Sequence, residues 1–446
     1  MNTQASTTVL QQKGLPQGLT IFTFLLGIFM GALDHGIVGP ALSSIFATFH
    51  VDSSWGVWSF TIYTLVFAVS IPVLGKLSDR FGRKQTFMFG IASFAIGSLI
   101  ATMSSNFWVF LFGRAVQAIG SGGIFPITAA QIAATYPPEK RGKAMGWIGV
   151  AFGLGTILGP LVGSVIIARF AWQWIFLINL PISLVILMSI AGYKSDQHLV
   201  KKPIDITGII VLSAIVLSMM IGISNHHALY VVAGLMLIPF LVWIEKKQAD
   251  PIMNVSYLTK RKTLTFLLAS LFSGFVMATA TNFIPLYSET ILEMGKGEAG
   301  FSVTPLAISS IIASFVGGML VDKWGARKAL LLGFGLSLIG AVSLGFLVQS
   351  VYFFFPTILI MGFGIGIIIG APLNILILQA VDPKETGAAV GYISLFRSLG
   401  STLGPSISGL FLSTFKDGFG YVYLISALAS LLSLLLLTLL VRNKKA

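Results

Sequence analysis

GKLSDRFGRK at 75–84 and GMLVDKWGARK at 318–328 are one phrase written twice. Gly75 answers Gly318, Leu77 answers Leu320, Asp79 answers Asp322 and Gly82 answers Gly325, and the copies close on Lys84 and Lys328. Each copy is a charged, glycine-punctuated turn between two long apolar runs. A second repeat fixes the duplication: Pro138, Gly142, Gly146, Gly155, Gly159 and Pro160 recur 245 positions later as Pro383, Gly387, Gly391, Gly400, Gly404 and Pro405. The chain therefore reads as a doubled bundle, the build in which two pseudo-symmetric halves can rock about a midplane site.

Composition sets the medium. Of 446 residues, 55% are hydrophobic and only 10% charged, with a mean hydropathy of +0.91, too little polar surface to cover a soluble globule of this size. Runs of the length that crosses a bilayer, ~20 residues, fall near 18–41, 55–75, 85–104, 107–134, 142–168, 172–192, 206–223, 228–244, 264–287, 302–321, 328–348, 352–379, 386–413 and 420–441. The expected fold is an all-α membrane protein of fourteen spans in a six, two, six arrangement. Its parts are a cytoplasmic segment 1–17, a six-helix bundle 18–192, a linker 193–263 with two inserted spans, a second six-helix bundle 264–441 and a tail 442–446.

The formal net charge is +13, and its distribution is that of a topology signal. Arg169, Lys296 and Lys416 lie in the loops of one face and Arg114 and Arg397 inside spans, while every other Lys and Arg lies toward the opposite face. That asymmetry predicts both termini in the cytoplasm and calls for no nucleic-acid partner. The polar N-terminal stretch lacks a cleavage site, so the first span reads as a retained helix. There are no cysteines, which excludes disulfides and thiol chemistry. The triplet Asn254-Val-Ser256 falls on the cytoplasmic side and reads as a chance match to a glycosylation signal.

These motifs resemble the major facilitator superfamily, and more narrowly its fourteen-span drug/proton antiporters. GKLSDRFGRK is similar to the loop signature between spans 2 and 3. FGRAVQAIGSGG, with Gly113, Arg114, Gln117 and Gly120, is similar to that of span 4. GLGTILGPLVGS, with Gly155, Gly159, Pro160 and Gly163, resembles the span 5 signature associated with exporters. ALDHGIVGPAL around Asp34 resembles the span 1 signature, and KKPIDITGI, with Asp205 and Gly208, the entry into the inserted pair. The chain departs from the pattern at His35, at Gly39-Pro40 and at Ser164. The resemblance implies the major facilitator fold and a proton-coupled antiporter in a bacterial inner membrane, monomeric, exporting amphipathic or cationic organic compounds.

Asp34 is the acidic residue placed inside the membrane, where an ionised carboxylate costs roughly 2.5–3.5 kcal/mol or more. With ~1.5 Å rise per residue, Asp34 and Arg114 each lie about 10 Å below the outer ends of spans 1 and 4. The resemblance makes those spans neighbours, so the pair is the expected proton-coupling site, with proton binding competing against substrate; a static ion pair is the plain alternative. His35 is either a proton relay or a polar helix contact, since adjacent helical residues point about 100° apart.

The resemblance puts Gln117, Asn282 and Asn374 in cavity-lining spans with Asp34 as counter-charge, and helix–helix hydrogen bonding is the alternative for each. Arg397, inside span 13, faces an aqueous cavity, binds anionic groups or bonds backbone carbonyls, and the sequence does not choose among these. Gating is expected of Gly75, Asp79, Arg80, Gly82, Arg83 and Lys84 and of Asp322 and Arg327 in the second copy. The resemblance sets Asp79 against the start of span 13 near Gly387 and Ala388, where a helix dipole favours an anion.

Other chemistries find little support. No phosphate loop ending in Gly-Lys-Ser/Thr is present. His226 and His227 lack companion ligands, and no Ser or His sits in a nucleophile setting. Glu289, Glu293 and Glu298 read as a solvated loop. No cofactor or metal is expected, and the partners are protons, a small-molecule substrate and the lipid bilayer. Export of a lipid or an endogenous metabolite, import by proton symport, and a polytopic enzyme or sensor are the competing readings.

Overall fold

A computed structural model describes residues 17–51, 58–193, 205–224, 227–248, 251, 254–294, 301–348, 350–415 and 418–439. His226, Lys296, Lys416, Glu298 and almost all of the two terminal segments lie outside the described residues. Among the described residues are fourteen helices of 13 residues or more. They are α1 (Gln17–Ile37), α2 (Trp58–Phe81), α3 (Arg83–Thr102), α4 (Phe107–Thr135), α5 (Pro138–Arg169), α6 (Asn179–Ala191) and α7 (Ile206–Ser224). They continue as α8 (Ala228–Glu245), α9 (Arg261–Thr290), α10 (Thr304–Trp324), α11 (Ala326–Phe346), α12 (Val351–Ile369), α13 (Thr386–Thr414) and α14 (Gly418–Leu439).

Among the described residues, twelve helices are long and apolar enough to cross a membrane, against the fourteen crossings expected from sequence. The two outside the twelve have different reasons. In α7 the apolar stretch is the shorter Ile206–Gly222. In α13 the length is ample at 29 residues, but Arg397 and a run of Ser and Gly dilute its hydropathy. Large apolar side chains such as Phe22, Trp108, Phe112 and Met188 are exposed on the outer faces of the helices, the arrangement expected where hydrocarbon is the solvent.

Backbone needs explain how the repeated phrase ends one helix and starts the next. Gly82, between α2 and α3, has φ 100°, and Gly325, between α10 and α11, has φ 87°. L-residues with a side chain avoid this region, so glycine lets each chain reverse through a single residue. Elsewhere the starts follow common rules: Pro138 opens α5, and the Asn106 side chain accepts a 3.0 Å bond from Val109 N to cap α4.

Small residues set the helix contacts, as they must where lipid is as apolar as the side chains. A Cβ on Gly155, Gly159 or Gly163 of α5 would lie 2.6, 2.7 and 2.6 Å from the carbonyls of Phe29, Leu33 and Ile37 on α1. The second copy repeats the device: Gly400 and Gly404 of α13 press on the carbonyls of Leu271 and Phe275 on α9. Between halves, α2 meets α13 and α5 meets α10. Gly75 and Gly387 each face the other's carbonyl, and so do Gly142 and Gly318. The helices α7 and α8 pack on each other, with Gly222 against Val231 and Gly234 against Met219, and α7 rests on α2 and α13.

Candidate functional site

Asp34 sits one turn before the end of α1 and is fully buried. A carboxylate in such a place must collect charge and donors from its neighbours, and two helices, α4 and α6, supply them. Arg114 and Gln117 are three apart on α4 and so share a face. Arg114 Nη1 lies 3.0 Å from Asp34 Oδ2. Asp34 Oδ1 accepts from Gln117 Nε2 at 2.8 Å and from Asn179 Nδ2, at the start of α6, also at 2.8 Å. Gln117 Nε2 also donates to Ser98 Oγ on α3 at 2.9 Å, and Arg114 Nη1 to Gln117 Oε1. The guanidinium is stacked 4.2 Å above the Tyr63 ring and 5.5 Å from that of Phe176, contacts that offset part of its desolvation.

Asp34 and Gln117, expected to face a substrate cavity, instead point into the N-terminal half and are 0% exposed, with Arg114 at 1%. Each bond that satisfies the charge turns it further from open space. His35, one residue on, is exposed, its ring 6.2 Å from that of Tyr63. Asn282 is exposed and donates at 2.7 Å to Ala278 O of its own helix. Asn374 is fully buried just past the break in α12, bonding Gly370 O at 3.4 Å. Thus Asn282 and Asn374 do not converge with Gln117 on one point. Asn179 and Ser98 are the members that sequence reasoning missed.

The two copies of the repeated phrase make matching clasps between the halves. Asp79 Oδ1 and Oδ2 accept 3.1 Å bonds from Gly387 N and Ala388 N at the start of α13. Asp322 Oδ1 and Oδ2 accept 2.8 Å bonds from Gly142 N and Lys143 N at the start of α5. Asp79 therefore caps unsatisfied first-turn amides of a helix in the opposite half, while Asp322 bonds amides one turn further into its helix. Arg83 Nη2 adds a 3.1 Å bond to Thr386 Oγ1.

The other cations of the phrase make their contacts within their own halves. Lys84 Nζ donates to Ala191 O and Tyr193 O at 2.7 and 2.5 Å, at the end of α6 in its own half. Arg327 reaches Leu437 O and Thr438 O on α14 at 3.2 Å each, and Arg80 lies 5.3 Å from the Phe81 ring. Helix ends carry unsatisfied carbonyls and a negative dipole, and the nearest long cations answer those first.

Beside the Asp79 clasp, Glu385 accepts from Tyr257 Oη at 2.7 Å and from Asn254 Nδ2 at 3.4 Å. Burial and the bond to Glu385 hold the Tyr257 hydroxyl well above its ordinary range. Asn254, read above only as part of a chance triplet, thus ties the approach of α9 to that of α13.

A model of the major facilitator superfamily matches residues 24–378 and 266–446. The uncharacterized MFS-type transporter YfiU of Bacillus subtilis (strain 168) is 37% identical over 434 residues, covering 93% of this chain and 83% of that protein. Multidrug resistance protein 3 of the same organism is 32% identical over 409 residues, covering 87% and 78%. The crystal structure of the human organic anion transporter MFSD10 (TETRAN) superposes with a TM-score of 0.73 over 95% of this chain and 99% of that one. At 16% identity that likeness speaks for the fold alone.

Proposed function

The chain belongs to the major facilitator superfamily, and on that premise we propose that it is a proton-coupled antiporter exporting amphipathic organic compounds by alternating access. The carrying observation is the buried Asp34–Arg114 pair with its Gln117 and Asn179 donors. A charge at that depth is costly to keep, and one that binds a proton gives the cost a use. Asp34 is the proton carrier in this reading. With Asp34 charged, both of its oxygens are bonded and the network is closed. Protonation removes the charge that holds Arg114, Gln117 and Asn179 in place, and substrate exchange follows from that loosening.

The moving parts are the bundles 18–192 and 264–441, with α7 and α8 as an inserted pair, α13 as a further span and both termini cytoplasmic, in the manner of the fourteen-span drug/proton antiporters. The clasps at Asp79 and Asp322 close the cytoplasmic end, so the described conformation is the one shut toward the cytoplasm. Export of organic compounds is supported by relatives named for multidrug resistance. The cationic part of the expected substrate range loses its counter-charge, because Asp34 is already ion-paired and buried.

The test is purified protein in liposomes with an imposed pH gradient, screened against dyes and drugs of differing charge. Wild type is expected to move substrate against the proton gradient and to stop when an uncoupler collapses it, and Asp34→Asn to lose gradient dependence while remaining folded. Uncoupler-insensitive transport by wild type overturns the proposal.

A further inference from the structure

Arg397 is the second arginine at membrane depth, and its circumstances are the reverse of those of Arg114. It lies about 15 Å along α13 from Gly387, the residue clasped by Asp79. Its Nε and Nη2 atoms are buried without a hydrogen-bond partner among the described residues. The carboxylates within the long helices of the C-terminal half, Glu289 and Asp322, sit at the ends of α9 and α10.

Three sides of α13 fix where the side chain goes. The Arg397 carbonyl is pressed on Gly274 of α9, and Ser401 Oγ donates to Gly274 O at 3.3 Å, so that face is filled by backbone. Leu395, Phe396 and Leu399 face a cavity of about 190 Å³ shared with α7 and α8, lined by apolar side chains and by Glu245 of α8. The guanidinium lies on the remaining side, between the halves, 5.8 Å from the ring of Phe125 on α4. Both residues are half-buried.

A guanidinium held this way is expensive to keep unless something anionic pairs with it. Its planar fork matches an oxyanion, and the adjacent ring suits an apolar body. Asp34 is committed to Arg114, and among the described residues no carboxylate is paired with Arg397. We propose that Arg397 and Phe125 form a docking point for the acidic group of an amphipathic substrate, a carboxylate or phosphate oxyanion, with the hydrophobic tail lying between the bundles. The inference rests on the export reading above and narrows its substrate class to amphipathic acids.

Direct binding separates this claim from that of proton-coupled export, because it needs no gradient. The full chain in nanodiscs is titrated with dansylaminoundecanoic acid, its methyl ester and the matching dansyl alkylamine, with empty nanodiscs subtracted. Wild type is expected to bind the acid about tenfold or more tighter than the ester and the amine. Arg397→Gln should bring acid affinity down to that of the ester and leave ester affinity unchanged, and Arg397→Lys should keep most of the preference. Equal affinity for all three probes in wild type overturns the proposal. So does an acid preference that survives Arg397→Gln, or joint loss of acid and ester binding in a variant whose elution and unfolding temperature match wild type. Failure of gradient-driven flux with the acid preference intact counts against the export reading alone.

Discussion

Asp79→Ala tests whether the clasps hold the described conformation. The substitution removes two bonds donated to a charged acceptor, from Gly387 N and Ala388 N at 3.1 Å each. It also leaves the first amides of α13 without their anion. Bonds to charged groups contribute about 1.5–3 kcal/mol each when intact, and shared backbone adjustment makes the pair worth less than the sum. Taking about 3 kcal/mol, the closed state loses roughly 100-fold in weight relative to the open one. The second clasp, at Asp322, still acts, so the single variant gives a mixture and Asp79→Ala with Asp322→Ala the larger shift. The chain has no cysteine, so labels can be placed without background. Lys140, at the start of α5, and Trp324, at the end of α10, are both exposed and lie in opposite halves. Spin labels at Lys140→Cys and Trp324→Cys report the separation by pulsed electron resonance. A single short distance in the parent, a second longer one in Asp79→Ala and a dominant longer one in the double variant are expected. Unchanged distances in the double variant would refute the reasoning.

Further outcomes follow from the packing and the buried network. Asn179→Ala strips one of the two amide donors from Asp34 Oδ1 and is expected to cost about 1–3 kcal/mol, read as a fall in unfolding temperature of the purified protein. Gly159→Ala sets a Cβ 2.7 Å from Leu33 O and should destabilise by about 1–3 kcal/mol, whereas Gly409→Ala meets open space and should be near neutral. Arg327→Ala cuts two bonds to α14; it should lower the unfolding temperature and leave the Lys140–Trp324 distance unchanged, in contrast to Asp79→Ala.

Much of this architecture was legible in the chain because the duplication exposes it. Gly82 and Gly325 are punctuation that only their φ angles justify, and the α5 glycines are spaced to put one groove on one face. The Asp34–Arg114 pair could be anticipated because each stands at the same depth below a span end and the family resemblance makes those spans neighbours. Its amide partner could not: Asn179 is uncharged and opens a short helix, where Asn ordinarily reads as a cap, and nothing in its spacing reveals α1 across the way. Depth was readable and azimuth was not, so the turn of Gln117 toward Asp34 and of Asn282 toward Ala278 O had to come from the packing. The charged turn shows the same limit, since Asp79, Lys84 and Arg327 look alike as loop charges and only packing sorts the interbundle clasp from the two local staples. The run 386–413 reads as a crossing by length, yet α13 falls outside the twelve apolar helices because Arg397, Ser and Gly lower its hydropathy.

The account turns on Asp34 exchanging a proton when substrate binds. Calorimetry in two buffers of different ionisation enthalpy counts protons released as a transported compound is titrated into the protein in nanodiscs. Proton release on binding that grows as the pH is lowered in wild type, and none in folded Asp34→Asn, is the expected result. The same release in both proteins would contradict it.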